Sequence, residues 1–252
     1  MIVFDIETGP LDEQTVLEFV KPYQGPLPLD PFDEATVKIG NLKDPGKIKA
    51  KVEAARNAHI ELADRREREI EEGDERWRRE AMEKAALSPL TGQVLAIGYL
   101  PSEPPGPPLL DMIGDGTGLT EPQLLAGFWG QCKKSIDADE AMVGHNILGF
   151  DLPFLVQRSR IANVSVPDDI RRGRYFNDRL FTDTMVEWSC GDLRKFVKLD
   201  TLARVLDVGT KPNGVNGGMF AEMLKTDRNA AREYLCNDLR MTAGVAERLG
   251  VI

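Results

Sequence analysis

The sequence predicts an α/β protein in which a mixed five-stranded sheet is flanked by helices, because strands come early in the chain and helices are interleaved later. Short apolar runs bounded by turn residues predict the strands 2–6, 94–100, 109–113, 141–143 and 181–184. Helical spacing of apolar residues predicts helices at 121–134, with Thr120 as N-cap, and at 152–160, 199–206 and 228–249.

A highly charged segment interrupts this pattern. Residues 47–86 hold eleven Lys or Arg and eleven Asp or Glu, and their apolar side chains recur at helical spacing. We interpret about 25–88 as a helical arm inserted into a single domain spanning 1–252. Gly73 is expected to divide the arm into two helices, and Trp77 to attach the second helix to the body. Because the charges balance, a solvated surface is favoured over a nucleic-acid-binding element.

Two other stretches predict loops. Residues 101–108 are rich in proline, and residues 209–218 are rich in glycine and asparagine. Lys211 lies in the second stretch, which lacks the G-x-x-x-x-G-K spacing of a P-loop.

The composition excludes several protein classes. An apolar content of 42% suits a soluble protein with a core, and no apolar run approaches the roughly 20 residues that span a membrane. The N-terminus lacks a secretory signal pattern, and Cys132, Cys190 and Cys236 are too scattered for a disulfide framework or a zinc site. We therefore expect a reduced, intracellular (cytoplasmic) protein that does not bind membranes.

The net charge of −9 argues against broad, non-specific binding of nucleic acid. It does not exclude a nuclease, because acids gathered in one pocket are partly neutralised by cations. A local basic rim can still hold phosphate groups.

The first acidic motif stands at the start of the chain. Asp5 and Glu7 are two residues apart in a short apolar strand, so their side chains point to one face of the sheet. Two acids on one face repel each other unless a positive charge lies between them. A hard divalent cation, which prefers oxygen ligands, is the obvious candidate.

Further acids lie far away in the sequence. Asp151 stands where a helix is expected to begin, and Asp183 stands at a probable strand end; each taken alone is better explained as a helix cap or strand terminus. Tyr234 and Asp238 are four residues apart in the last helix and therefore share one face, although such pairs also occur by chance.

In combination the motifs resemble those of the DEDD superfamily of 3′-to-5′ exonucleases, which have a ribonuclease H-like fold. Phe4-Asp5-Ile6-Glu7-Thr8, Asn146 through Phe150-Asp151, and Tyr234 followed by Asp238 match its three motifs in order. Tyrosine in the third motif indicates the tyrosine subclass, and the surrounding sequence looks most like stand-alone relatives of the B-family polymerase proofreading exonuclease. The resemblance covers residues 1–10 and about 90–250.

The resemblance implies a two-metal site that binds Mg²⁺ or Mn²⁺. Asp5 would bridge both cations, Glu7 and Asp238 would complete the first, and Asp151 would serve the second. Tyr234 would orient the attacking water. The catalytic residues implied are therefore these four acids and the tyrosine.

Several residues are candidates for holding the substrate. The backbone at Thr8 and Gly9 could approach the terminal nucleotide closely. Asn146 could contact the sugar-phosphate, Phe150 could stack on a base, and Lys211 could meet a phosphate.

The basic cluster at 171–174 and the two histidines each have a structural explanation. Arg171, Arg172 and Arg174 form a cluster that either follows a nucleic-acid backbone or is simply an exposed loop. His145 is expected to be structural, and His59 in the charged arm to have no chemical role.

The function predicted from the resemblance is a 3′-to-5′ exonuclease that releases 5′-mononucleotides from single-stranded DNA. One alternative is a ribonuclease D-like exoribonuclease, and another is a non-catalytic nucleic-acid-binding module. The length leaves no room for a polymerase domain, so we expect any proofreading role to need a separate polymerase or repair partner.

Overall fold

The computed structural model describes residues 1–101, 106–114, 116, 118–192, 195–211 and 217–252. Parts of both predicted loops, residues 102–105 and 212–216, therefore lie outside the described residues. The chain divides into two compact units, of which one comprises Met1–Val16 and Glu83–Ile252 and the other Leu17–Met82.

The first unit contains a five-stranded mixed sheet, as predicted. The described part of this unit has seven strands, of which five form the sheet. They are β1 (Ile2–Pro10), β2 (Gly92–Pro101), β3 (Leu109–Met112), β4 (Met142–Gly144), β5 (Arg171–Arg172), β6 (Tyr175–Phe176) and β7 (Phe181–Asp183). The sheet order is β3-β2-β1-β4-β7, while β5 and β6 form a separate short hairpin. The pairs β1–β2 and β2–β3 are antiparallel, and β1–β4 and β4–β7 are parallel.

The helices are α1 (Glu13–Phe19), α2 (Pro45–Ala85), α3 (Glu121–Asp137), α4 (Asp151–Ile161), α5 (Thr184–Trp188), α6 (Leu199–Val205), α7 (Phe220–Thr226) and α8 (Arg228–Leu249). The four helices predicted outside the charged segment are confirmed within three residues at each end, and α5 and α7 are additional. In the described part of the chain, no helix has both the length and the apolar character that crossing a membrane requires.

Strand β1 separates two apolar cores. Phe4 and Ile6 face the core that includes side chains of α3 and α4. Val3 faces the opposite core, formed with α7 and α8. Because side chains alternate along a strand, Asp5 and Glu7 share the face of Val3 and point toward α8.

The strand next to β1 is short, and this opens a gap in the sheet. β4 pairs with β1 only at Ile2 and Val3 and ends at Gly144. In the described part of the chain, no strand pairs with that edge of β1 beyond Val3, and the chain that follows β4 leads to Asp151 at the start of α4.

A buried ion pair fixes α4 against the sheet. Arg158 donates to both carboxylate oxygens of Glu121 at 2.8 and 2.6 Å, and Glu121 also accepts from the backbone N–H of Val94 at 2.8 Å. Arg158 further donates to the carbonyl of Pro89 at 2.9 Å. Since a buried charge is costly unless it is paired and hydrogen-bonded, this network ties α4 to α3 and β2 in one arrangement.

The second unit corrects one prediction. The charged segment forms one continuous helix, α2, so the division into two helices at Gly73 is wrong. A single glycine costs only about 1 kcal/mol in a helix, and its neighbours are good helix formers. The glycine leaves room for Tyr23, because a Cβ at this position would lie 1.8 Å from the hydroxyl oxygen of that side chain unless the ring moved. The ring of Trp77 lies 6.3 Å from that of Tyr23, within the same unit.

Candidate metal centre

Three carboxylates converge where β1 meets α8. Asp5, Glu7 and Asp238 each offer an oxygen atom, and these oxygens lie within 4.8 Å of one another. Glu7 and Asp238 are buried, whereas Asp5 is partly exposed. The strand spacing thus supplies two ligands on one face, and the last helix supplies the third.

Close packing of α8 on the sheet brings Asp238 to the strand. Gly98 pairs with Asp5 across β1 and β2. A Cβ at Gly98 would lie 2.7 Å from Cδ1 of Leu239 and 3.1 Å from Cγ of Leu235, so any larger residue would push the helix outward. The missing side chain at Gly98 therefore allows α8 to approach the acids of β1.

Asp151 reaches the cluster through the gap beside β4. Asp151 is buried and is the first residue of α4. The N-cap of this helix is Phe150, so the side chain of Asp151 is not the helix cap that the sequence alone suggests. Its carboxylate accepts a hydrogen bond from the backbone N–H of Ile6, and its charge acts on Asp5. The four acids of the predicted site are thus neighbours in the folded chain.

Tyr234 and Lys211 complete the group. The ammonium group of Lys211 donates to the hydroxyl of Tyr234 at 2.6 Å and to Oδ2 of Asp238 at 2.5 Å. It also lies 4.5 Å from the centre of the Tyr234 ring. Its side chain is only 20% exposed, so this contact forms largely away from solvent.

The backbone that carries Lys211 is itself held in place. Oδ1 of Asp200 accepts from the backbone N–H of Lys211 at 2.7 Å and from the hydroxyl of Thr210 at 3.1 Å, while Oδ2 pairs with Arg204. The side-chain amide of Asn237 donates to the carbonyl of Thr210 at 3.3 Å. Sequence reasoning missed Asp200 in this role, and its only signal was an acid in the first turn of a predicted helix.

Burial and mutual repulsion dominate the electrostatics of the strand acids. Burial raises the pKa of Asp5 well above its usual value, and the carboxylates of Asp151 and Asp238 raise it further. Burial likewise raises the pKa of Glu7, with Asp5 as the next largest cause. Lys211 lowers both pKa values but does not cancel the increase.

The other members of the cluster respond in the same direction. Burial raises the pKa of Asp151 from its usual 3.8 to about 7, against hydrogen bonds that lower it. Burial also raises the pKa of Asp238, although Lys211 lowers it. Burial, Glu7 and Asp238 together raise the pKa of Tyr234, so its phenol stays protonated at neutral pH.

This donor set fits a hard divalent cation. The ligands are carboxylate oxygens, which Mg²⁺ and Mn²⁺ prefer. Oδ1 of Asp238 is buried and has no hydrogen-bond partner among the described residues. A buried carboxylate oxygen without a partner is costly, and a cation would satisfy it. Asp5, Glu7 and Asp238 could hold one ion, and Asp151 could contribute to a second.

Asp183 positions the loop that precedes Asp151. Its carboxylate accepts from the backbone N–H groups of Asn146 at 2.8 Å, Leu148 at 2.9 Å and Met185 at 2.9 Å. It is therefore a helix cap, as one of the two sequence interpretations had it, and it also holds the loop in place. His145 contacts Thr184 Oγ1 at 2.9 Å and the carbonyl of Val197 at 2.8 Å, as a structural histidine would.

The residues predicted to hold substrate near β1 have structural partners. The hydroxyl of Thr8 donates to the carbonyl of Ala86 at 2.7 Å. A Cβ at Gly9 would lie 2.4 Å from Cδ1 of Leu95 and 3.0 Å from Cβ of Ala221, so packing alone requires glycine there. Their contact with a nucleotide stays a prediction.

Of the two predicted substrate contacts in the loop before α4, Asn146 lines a cavity. Asn146 has a positive φ of 62°, and its buried Oδ1 has no hydrogen-bond partner among the described residues. Phe150 packs against Phe154 with ring centres 5.4 Å apart. Gly217, which sequence reasoning missed, lies close to the acids, since a Cβ there would be 3.6 Å from Oε2 of Glu7. No sequence pattern identified it.

Comparison with solved structures gives a match to the family B DNA polymerase from the hyperthermophilic archaeon Pyrobaculum calidifontis, with 23% sequence identity and a TM-score of 0.51. The match covers 66% of this chain and only 23% of that polymerase chain. At this identity the likeness establishes the fold alone, an α/β sheet with flanking helices that is consistent with the ribonuclease H-like class. No protein-family model and no curated protein matches the chain.

The raised pKa of Asp151 predicts how stability changes with pH. The pKa of the Asp151 carboxyl is about 7 in the folded chain and 3.8 normally. The protonated carboxyl therefore stabilises the fold fully below pH 3.8, and this stabilisation is lost as the pH rises to about 7. Asp151→Asn cannot ionise and avoids that loss. At pH 8 with EDTA, we expect urea denaturation to give a free energy of unfolding higher than wild type by on the order of 1–3 kcal/mol. Near pH 4 the difference should vanish.

Asp183→Asn is the matched control for this measurement. The amide offers one acceptor oxygen to three backbone N–H groups, so this variant should be less stable than wild type at pH 8 by about 1–3 kcal/mol. If Asp151→Asn is destabilised to the same extent, the cost assigned to burying the Asp151 charge is contradicted.

The position of Lys211 predicts competition with cations. Its ammonium group occupies one side of Asp238, so a bound ion must displace it or share that carboxylate. Lys211→Met should bind Mn²⁺ about tenfold more tightly in isothermal titration calorimetry, equal to about 1.4 kcal/mol. Lys225→Met removes an exposed lysine and should leave the affinity unchanged. Equal affinities for both variants would refute the competition.

Proposed function

We propose that this chain is a metal-dependent 3′-to-5′ exonuclease that shortens single-stranded DNA from its 3′ end. The observation that carries the proposal is the cluster of Asp5, Glu7 and Asp238, whose oxygens lie within 4.8 Å, with Asp151 and Tyr234 beside it. The order of these residues resembles the tyrosine subclass of DEDD exonucleases. The likeness of fold to part of a B-family DNA polymerase supports the same reading.

The reaction would be hydrolysis of the terminal phosphodiester. A water oxygen forms a bond to phosphorus while the bond to the 3′ oxygen breaks, and the leaving oxygen takes a proton. The products are a 5′-mononucleotide and a strand one residue shorter with a 3′ hydroxyl. Two bound divalent cations, Mg²⁺ or Mn²⁺, would make the water more acidic and stabilise charge on the leaving oxygen.

The acids of this chain supply the negative potential that such a site requires. Asp5 is the central acid of the cluster in its interactions, because the carboxylates of Asp151 and Asp238 both raise its pKa. This central position suits the bridging role that the family resemblance implies. Glu7 and Asp238 would complete one site, and Asp151 would complete the other.

Tyr234 is suited to orient the attacking water. Its hydroxyl accepts a hydrogen bond from Lys211 at 2.6 Å and donates its own proton to the Asp238 carboxylate, from which it could turn to the attacking water. The raised pKa of the phenol keeps that proton in place at neutral pH. Tyr234 thus acts as a hydrogen-bond donor rather than as a base.

Lys211 would change partners during the cycle. In the described structure its ammonium group contacts Asp238 and Tyr234. If it left Asp238 during the cycle, the ammonium group would be free to meet the phosphate of the terminal nucleotide. Thr8, Gly9, Asn146 and Phe150 remain predicted substrate contacts.

The main test is removal of the central carboxylate. Asp5→Asn keeps the side-chain shape but removes the charge, so Mg²⁺- or Mn²⁺-dependent shortening of a 5′-labelled DNA oligonucleotide should fall at least a thousandfold. Glu247→Gln, an exposed acid on α8, should retain full activity. Full activity of Asp5→Asn, or an inactive wild type that fails to bind Mn²⁺ calorimetrically, would refute the exonuclease proposal.

The nature of the sugar defines the alternative substrate. A ribonuclease D-like enzyme would use the same chemistry on RNA, and the 2′-hydroxyl distinguishes the two polymers. We expect a higher kcat/KM on DNA than on RNA of the same sequence, measured from gel time courses. A higher value on RNA would replace DNA by RNA in the proposal. Oligonucleotide binding with no cleavage of either polymer would favour the non-catalytic module.

A further inference from the structure

A large cavity lies on the far side of α4 from Asp151. Its volume is about 850 Å³, within the range of roughly 300–1,000 Å³ typical of ligand sites. Three elements enclose it: the outer face of α4, the β5–β6 hairpin and the start of α5. The outer face of α4 contributes Pro153, Val156 and Arg160, which lie about half a helical turn away from Asp151.

The cavity is basic in a protein that is acidic. Four arginines line it, namely Arg160, Arg171, Arg172 and Arg174, in a chain whose net charge is −9. Among the residues that the structure describes, only Arg172 of these four is paired with an acid, through a 3.0 Å contact to the exposed Asp178. Among the described residues, Arg160 and Arg174 have no ion-pair partner, so their charges are available to an anionic ligand.

Aromatic rings stand beside these charges. Tyr175 is 62% exposed and Phe196 is 67% exposed, although apolar rings of this size normally pack inside. The guanidinium of Arg174 lies 4.8 Å from the centre of the Tyr175 ring, and that of Arg171 lies 5.3 Å from the centre of the Phe176 ring. Exposed rings interleaved with arginines suit bases that stack and phosphates that pair with guanidinium groups.

The cavity is joined to the candidate metal centre by one short loop. Asn146 and Gly149 line the cavity, and Asp151 follows two residues later on the opposite side of the helix. Asp183 holds this loop through the backbone N–H groups of Asn146 and Leu148. A strand with its 3′ end at the carboxylates would meet the cavity if it crossed this loop.

We infer that this cavity binds the single-stranded segment that precedes the scissile nucleotide, with Arg160 and Arg174 on its phosphates and Tyr175 under a base. The inference rests on the proposed function, because it assigns the cavity to the same strand. An acidic peptide would match the arginines but would leave the exposed ring faces without partners. The combination of guanidinium groups without acidic partners among the described residues and rings that stay more than half exposed favours nucleic acid.

Binding can be measured without cleavage. A 5′-fluorescein-labelled thymidine decamer is titrated with the Asp5→Asn protein in EDTA, and anisotropy gives Kd at several salt concentrations. Adding Arg160→Ala and Arg174→Ala to the Asp5→Asn protein should raise its Kd for the decamer at least tenfold. The slope of log Kobs against log salt should fall by about 0.7 for each arginine that meets a phosphate. Tyr175→Ala should weaken binding without changing that slope.

A control separates local contacts from loss of overall charge. Lys133→Ala with Lys134→Ala removes two exposed positive charges from α3, away from the cavity lining. This variant should keep the Kd and the salt slope of its parent. If it weakens binding as much as the arginine variant does, or if the arginine variant binds like its parent, the cavity does not hold the strand.

Cleavage then distinguishes this inference from the proposed function. The ratio of kcat/KM for the decamer to kcat/KM for the p-nitrophenyl ester of thymidine 5′-phosphate should be at least tenfold lower in the arginine variant than in wild type. An unchanged ratio would overturn the cavity assignment while leaving the exonuclease intact. If wild type cleaves neither substrate, the proposed function fails, and the anisotropy comparison still decides what the cavity binds.

Discussion

The crowding of carboxylates beside β1 is the constraint on which the rest of the site depends. Removing a charged group from water is costly, and three acids whose oxygens lie within 4.8 Å also repel one another. The raised pKa values of Asp5, Glu7 and Asp238 express both costs. Lys211 and the backbone N–H of Ile6 offset only part of them. The folded chain therefore keeps a strong negative potential that a divalent cation would relieve.

The fold accepts this cost because its apolar cores lie immediately around the cluster. Val3 and Phe4 bury the two faces of β1 before the acids, and Leu235 and Leu239 press α8 onto the sheet. The glycine at position 98 allows that close approach. The neighbouring apolar packing thus offsets the free-energy cost of the buried acids, at positions where neutral side chains would give a more stable fold. Such a conflict between local stability and charge is typical of functional sites.

Much of this arrangement could be predicted from the sequence, and the failures have physical causes. The strand acids, the five-stranded sheet and the last helix follow from periodicity and spacing, which are local properties. The contact of Lys211 with Tyr234 could not be foreseen, because it depends on how Asp200 holds the backbone of Thr210 and Lys211 beside α8. The continuity of α2 was missed because one glycine costs little in a helix of strong helix formers, and because Tyr23, distant in sequence, fills the space that a side chain at position 73 would take.

The distribution of charge also bears on how a polyanion could reach an acidic centre. A cluster of carboxylates attracts cations but repels phosphate, so on the proposed function binding of the strand requires positive charge at both ends of the path. Lys211 stands at the carboxylates, and the arginines stand across α4. The overall charge of −9 would then weaken non-specific adsorption, while local contacts hold a strand that enters in the right direction. Separation of the two charge signs by one helix would make cation binding and strand binding mutually reinforcing, because ions that neutralise Asp5 and Asp238 remove the repulsion that the terminal phosphate would otherwise meet.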